Sequence, residues 1–265
     1  MKDSAVVLRN VLDAFVSWFP TFTDHSMLHS LSVLNYANCL LADQTEKLSA
    51  EECYVLIMSC YLHDTGMGIT RRGFEQFTKE IDLGNYAEED FSGQEEKIIR
   101  EFHHEFSGLF IRKYAGLFDI PSEELLFAII QVCRGHSKTD LLDKEEFPDV
   151  RTDNGMIRVA ALAAYLRLAD ELDTGVDRNP ALLYDTSGLT ELKDINSFGV
   201  HESIRKVTVQ KDRIVLSVQY KEERFRSLVA ETARKIQETL DYCREVVRLR
   251  SDLLITQEKV ETEQV

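Results

Sequence analysis

No Cys-x-x-Cys pair occurs in the chain, so nothing points to a zinc knuckle. No apolar run is long enough to span a bilayer. The opening residues include Lys2, Asp3, Arg9 and Asp13, which is not the charge pattern of a secretory signal. Internal repeats and low-complexity tracts are absent as well. Basic residues are scarce: 31 Lys and Arg stand against 46 Asp and Glu, for a net charge of −15 and a pI near 4.9. A field of that sign repels polyanions, which argues against nucleic acid as a general partner but leaves room for a local phosphate site. The five cysteines (Cys39, Cys53, Cys60, Cys133, Cys243) are odd in number and lie mostly in apolar helical stretches. They read as buried free thiols in a reducing compartment. The expectation is a cytoplasmic protein with no membrane partner.

What is present is a chain of 265 residues with 44% hydrophobic content, enough for one large domain with an appendage. Apolar residues recur at helical spacing from Ala5 to Phe19, and Pro20 stops the pattern. Thr23 and Asp24 offer an N-cap for a helix running through His25, His29, Val33 and Leu40, with the two histidines on one face. Ser49 and Glu52 form a capping box that opens a helix ending at His63-Asp64. Residues 65–94 are polar, glycine-bearing and aperiodic, as expected of a lid or an insertion. Ser92 and Glu95 suggest another capping box before a helix carrying His103 and His104. Ser122 opens a helix that Gly135 ends, leaving His136 just beyond it. A polar loop (137–153) precedes an alanine-rich helix from Met156 to Leu172, whose last turn holds Asp170 and Glu171, with Asp173 next.

After Gly175 the pattern changes. Residues 176–201 look like loop, Ile204–Val209 and Arg213–Tyr220 alternate with period two as a β-hairpin, and Glu222 to Ile255 is a long amphipathic helix. The last ten residues are polar and should fray. This predicts a mainly α fold: a helical bundle over 1–180 (core about 20–180), with a small antiparallel β-hairpin and a long C-terminal helix over 181–265.

The organising stretch is Tyr61-Leu62-His63-Asp64-Thr65-Gly66-Met67-Gly68, where an imidazole and a carboxylate are adjacent at the end of an apolar run. Alone the doublet says little. Ligand-type residues, however, recur once per helix or helix end: His29, His63-Asp64, His104, His136 and Asp170. One contribution per helix is what a metal site in the middle of a bundle requires.

These stretches resemble the HD superfamily of metal-dependent phosphohydrolases. The matching motifs are His29-Ser30-Leu31-Ser32-Val33, His63-Asp64-Thr65-Gly66, His104-Glu105-Phe106-Ser107-Gly108, Cys133-Arg134-Gly135-His136 and Leu168-Ala169-Asp170-Glu171-Leu172-Asp173, in the family's order. The opening Phe19-Pro20-Thr21-Phe22-Thr23-Asp24-His25-Ser26 looks more narrowly like HD domains fused, in bacterial conflict systems, to a GHKL-type ATPase, although this chain contains no such ATPase. The ending at Asp170–Asp173 followed by a hairpin also looks like the HD domain of exopolyphosphatase and pppGpp phosphatase relatives.

The resemblance implies that His29, His63, Asp64 and Asp170 hold a first metal, and that His104 and His136 complete a second site bridged by Asp64. His103 competes with His104 for that place and is assigned, with Asp173, to supporting the ligands from behind. The extra histidines favour a binuclear centre of Mn, Fe, Co, Ni or Zn, with Mg a poorer match for the His-rich half. Two cations there would lower the pKa of a water to yield hydroxide near neutral pH, with His63 and Asp64 at the heart of catalysis. The lysine that follows the doublet in HD-GYP cyclic-dinucleotide phosphodiesterases is missing, as is the GYP motif, which argues against cyclic-di-GMP hydrolysis.

The implied activity is hydrolysis of a phosphoester or phosphoanhydride of a nucleotide or related small phosphate. Arg71, Arg72, Lys138, Arg167 and Arg178 are candidate phosphate contacts, with 65–94 and 137–153 as walls or a lid, and His25 contacts substrate or supports the site. His201 is read as a loop residue without a role. The alternative is a non-catalytic nucleotide-sensing module in a bacterial defence or stress system, self-associating or engaging a partner protein through the C-terminal helix.

Overall fold

The computed structural model describes residues 2–19, 25–84, 86, 91–178 and 191–265, and it is mainly α-helical with two small sheets. The capping box at Ser49 forms as its spacing requires. Glu52 N–H donates to Ser49 Oγ and Ser49 N–H donates to Glu52 Oε2, starting α3 (Ala50–Leu62). At the preceding helix, α2 (Met27–Leu41), Ser26 is the cap, since its Oγ accepts from Leu28 N–H. Pro20, Thr23 and Asp24, read above as a stop and a cap, lie outside the described residues. The box expected at Ser92 does not form. Glu95 turns back instead to Gly93 N–H, and α5 (Glu95–Lys113) begins after Gln94 without a side-chain cap.

α7 (Val159–Leu172) is the centre of the bundle. Its residues from Val159 to Leu166 are all buried, and its alanines let neighbouring helices approach closely. α2, α3, α6 (Glu123–Arg134) and α9 (Phe225–Arg250) pack around it. Gly135, which ends α6, has ordinary right-handed φ of −68°. Its need is space: a Cβ there would lie 2.5 Å from the Ala163 Cβ. That close approach sets His136 against α7.

α1 (Lys2–Asp13) covers the turn after the doublet, and Trp18 Nε1 donates to the Ile69 carbonyl at 2.6 Å. Thr65–Gly68 is a buried 3-10 turn, and α4 (Arg71–Phe77) sinks Phe74 and Phe77 into the core. From Thr65 to Phe77 the segment read as an aperiodic lid is thus folded into the bundle. Its apolar residues follow too short a helix to show periodicity.

Residues 137–153 likewise gain structure, because Val150–Thr152 (β1) pairs antiparallel with Gly155–Ile157 (β2). α8 (Leu192–Ser203) replaces much of the expected loop at 176–201. The expected boundary at 180/181 lies outside the described residues.

The hairpin forms as read, with β3 (Ile204–Val209) antiparallel to β4 (Arg213–Val218). The last residues do not fray: β5 (Lys259–Gln264) adds parallel to β4. Five of its six side chains are polar, so their pattern gave no strand signal; backbone pairing and Gln237, whose Oε1 accepts from Val260 N–H at 2.7 Å, hold the strand. The apolar stripe of α9 (Val229, Ile236, Leu240, Cys243, Val246, Val247) is buried within the chain, much of it against α7. That stripe is therefore not open to a second copy or partner.

Candidate metal centre

His63 and Asp64 close α3 at the middle of the bundle. The turn that follows is pressed against α5: a Cβ on Gly66 would lie 2.1 Å from the His103 carbonyl oxygen. Ser107 Oγ accepts from Gly66 N–H at 2.8 Å and donates to the His63 carbonyl at 2.5 Å. His103 and Ser107 are one turn apart and share the face of α5 that meets the doublet. His104 and Gly108 lie on the next face, where Gly108 packs against Ile130 and Arg134 of α6.

The consequence corrects the sequence reading. His103 Nε2 is 2.8 Å from His136 Nε2 and 3.6 Å from Asp64 Oδ1. His104 makes no such approach; its Nε2 lies 3.8 Å from Glu105. Spacing from Gly108 was the wrong guide, because Ser107 is the residue that touches the doublet.

Asp64 presents its two oxygens to different histidines. Oδ2 is 3.3 Å from His29 Nε2, 3.4 Å from His63 Nε2 and 2.7 Å from His25 Nδ1. Oδ1 is 3.7 Å from His136 Nε2, close to the His103 distance. Asp170 Oδ1, from the last turn of α7, lies 3.2 Å from His29 Nε2 and 3.8 Å from His63 Nε2. Three sets bring their donor atoms close enough that they could hold a metal ion: His25, His29 and Asp64; His29, His63 and Asp170; and Asp64, His103 and His136.

The donor chemistry fits a cation. His63, His103 and His136 each turn Nδ1 outward to a backbone carbonyl, of Cys60, Arg100 and Cys133 respectively. A carbonyl only accepts, so each Nδ1 carries a proton and Nε2 is the ring nitrogen turned to the centre. His29 is held likewise by Asp173, 2.6 Å from its Nδ1. Such outward hydrogen bonds are how metal-binding imidazoles are oriented.

Charge points the same way. Burial opposes ionisation of Asp64 and of Asp170, yet the neighbouring histidines hold both carboxyls well below the usual range. Burial and Arg178 oppose protonation of His29, but Asp170, Asp173 and Asp64 push it up to about 9. His63 rises against burial to about 10 through Asp64 and Asp170. The carboxylates draw positive charge into the centre. Burial, with His103 and His63 nearby, lowers His136 to about 3, leaving it neutral.

The model of the HD-CE family matches residues 19–251. The chain belongs to the HD-CE family. The match runs through α8, the hairpin and α9, so the HD-CE unit extends beyond the helices that carry the doublet. Comparison with curated proteins and with solved structures gives no match.

In this HD-CE chain the centre opens into a cleft of about 1130 Å³, reached by His25, Asp64 and Asp170. Two of the five expected phosphate contacts line it, Lys138 and Arg178. Arg178 is buried, its Nη1 3.4 Å from Asp173 Oδ2, and its Nε has no hydrogen-bond partner. Arg71 and Arg72 are exposed on α4, where Arg71 pairs with Glu95 at 3.4 Å. Arg167 donates to the Gly135 and Thr139 carbonyls and stacks on Tyr242, bracing the His136 turn. Proximity in sequence to the last ligand misled there, because the guanidinium is taken up by the Gly135 and Thr139 carbonyls.

Lys97 and Arg100, not singled out in the sequence, do line the cleft; their placement one and two turns before His103–His104 on α5 was a usable signal. Met67 is the one described residue of 65–94 at the cleft, so that segment is no lid among the described residues. His201 was missed as well. It sits on α8, half-buried, with Nδ1 2.9 Å from the Thr174 carbonyl.

Proposed function

We propose that this chain is a metal-dependent phosphohydrolase acting on a phosphoester or phosphoanhydride of a nucleotide or related small phosphate. The observation that carries the reading is Asp64, whose two oxygens serve His29–His63 on one side and His103–His136 on the other. His29, His63, Asp64 and Asp170 would hold one divalent cation, and Asp64, His103 and His136 a second. Mixed N/O donors suit Mn, Fe, Co, Ni or Zn. Such ions supply an acidified water and polarise a phosphoryl oxygen.

The chain's own residues do the rest. Asp173 fixes the His29 ring, the Cys60, Arg100 and Cys133 carbonyls fix the other three, and His25 orients Asp64. Arg178, Lys138, Lys97 and Arg100 put local positive charge beside the centre in an otherwise acidic protein, as phosphate binding needs. A nucleotide sensor that never turns over would need the cleft but not this full set of donors.

Elemental analysis of protein purified without chelator, followed by a phosphate-release screen over nucleotides, cyclic nucleotides and polyphosphate, tests the reading. Bound transition metal with phosphate release supports it. A metal-free protein inert towards all of them sinks it.

A further inference from the structure

The cleft has two chemically different walls. On the α5 side and the turn after His136 stand Lys97, Arg100 and Lys138. A second part of the lining comes from one face of α8 (Asn196, Ser197, Val200, His201) and from Leu228 and Thr232 of α9. These are neutral, and Val200 and Leu228 are apolar. The wall's carboxylates, Asp194 and Glu231, repel phosphate, and its lysine, Lys235, is paired with Glu171 at 2.9 Å. α8 and α9 are closely fitted, since a Cβ on Gly199 would lie 2.1 Å from the Phe225 ring. The wall is therefore built rather than incidental.

His201 is its distinctive member. Nδ1 donates to the Thr174 carbonyl at 2.9 Å, which leaves Nε2 as a hydrogen-bond acceptor on a ring that lines the cleft. Burial, helped by Arg178, lowers its pKa to about 4, so the ring stays neutral and the acceptor persists at physiological pH. An acceptor is of no use to a phosphate. It suits a hydroxyl or N–H group.

We propose that His201 is a substrate-positioning residue whose Nε2 accepts a hydrogen bond from a hydroxyl or N–H on the non-phosphate part of the substrate, so that the α8–α9 wall selects nucleoside-type phosphates over inorganic polyphosphate. This rests on the phosphohydrolase reading, in which the phosphate end lies by the metal centre and the α5 cations. The organic end then has the α8–α9 wall as its neighbour. A site built to hydrogen-bond such a group discriminates against ligands that lack it.

The test uses the full chain and four nucleoside triphosphates (ATP, GTP, CTP, UTP) beside inorganic triphosphate, with binding followed by calorimetry and phosphate release followed separately. His201→Asn places an amide near the Nδ1 position, so it keeps the donor to Thr174 while removing the Nε2 acceptor. The expected result is about a fivefold weaker binding of the best nucleotide, the size of one neutral hydrogen bond, with inorganic triphosphate unaffected. His201→Gln, whose amide reaches the Nε2 position, should recover part of the loss. Equal loss for both ligands in the Asn variant would make His201 a structural wall residue and overturn the proposal. So would wild-type protein that binds inorganic triphosphate as tightly as every nucleotide, or that binds none of the five. Selective binding without phosphate release would instead overturn the phosphohydrolase reading and leave the role of His201 standing.

Discussion

His103 and His136 bring their Nε2 atoms to 2.8 Å of each other, although one rides on α5 and the other sits in the turn after α6. Their Nδ1 atoms are both anchored to carbonyls, so the contact is between two groups facing a common centre. His103→Ala should therefore lower bound metal, towards one ion per chain. His104→Ala, whose Nδ1 is buried without a partner, should leave metal content unchanged. Elemental analysis of the two variants separates them, and the reverse result would restore His104 as the ligand.

Asp64→Ala removes the carboxylate that meets both histidine pairs. Its loss takes away shared donor atoms and a neutralising charge together, so most of the metal and all measurable phosphate release should disappear. Unchanged metal content with unchanged turnover would make the doublet a structural feature.

Charge reversal in the cleft should act on substrate capture. A Lys97→Glu, Lys138→Glu variant is expected to raise KM more than it lowers kcat, because phosphate anchoring is largely shared by ground and transition states. An Arg71→Glu, Arg72→Glu variant should leave KM alone, since those side chains are exposed on α4. Steady-state kinetics on the best substrate decides, and a KM shift confined to the Arg71, Arg72 variant would overturn this assignment of the walls.

Glu52 ties two segments together through three interactions: it caps α3, accepts from Arg158 N–H and pairs with the Arg158 guanidinium at 2.7 Å. Burial favours its neutral form, but Arg158 and the cap hydrogen bonds lower its pKa overall. A depressed folded pKa gives stability that is complete above the unfolded value, about 4.3, and is lost as pH falls through the folded value. Glu52→Ala should cost about 3 kcal/mol at neutral pH, as breaking a buried pair does. Chemical denaturation at several pH values should show the gap between wild type and variant narrowing only below about pH 4. A constant gap down to strongly acid pH would mean that packing, not charge, carries the effect.

Gly66→Ala places a methyl where the His103 carbonyl already stands, 2.1 Å away. The doublet turn or α5 must move, at about 1–3 kcal/mol or more. Because His103 rides on that helix, metal content should fall along with thermal stability. Loss of stability with full metal retention would show that the turn and the ligands are mechanically independent.

Much of this was legible in the chain because helix periodicity, capping residues and one ligand per helix are local signals. Ser49, Ser122 and the period-two runs at 204–209 and 213–220 announced their elements directly. What escaped depended on tertiary neighbours. The choice between His103 and His104 turns on Ser107 meeting Gly66 across the bundle. α8 has Gly199 in its middle, a poor helix residue in isolation, tolerated because the Phe225 ring fills its place. β5 is polar on nearly every position and is a strand because β4 offers it a free edge. Arg167 and Arg178 look equivalent on paper, yet one braces a turn and the other enters the cleft.

The parallel pairing of β4 with β5 also bears on the order of assembly. Two parallel neighbours cannot be joined by a tight turn, and here the whole of α9 is the crossover between them. Loop closure of that span comes before any reward from strand pairing, which makes this contact slow to nucleate. The ligands from His29 to Asp170, by contrast, belong to helices that pack on α7 or directly on one another. On the ribosome those helices emerge first, so the metal-binding face can consolidate while the wall that includes His201 is still waiting for α9 to dock.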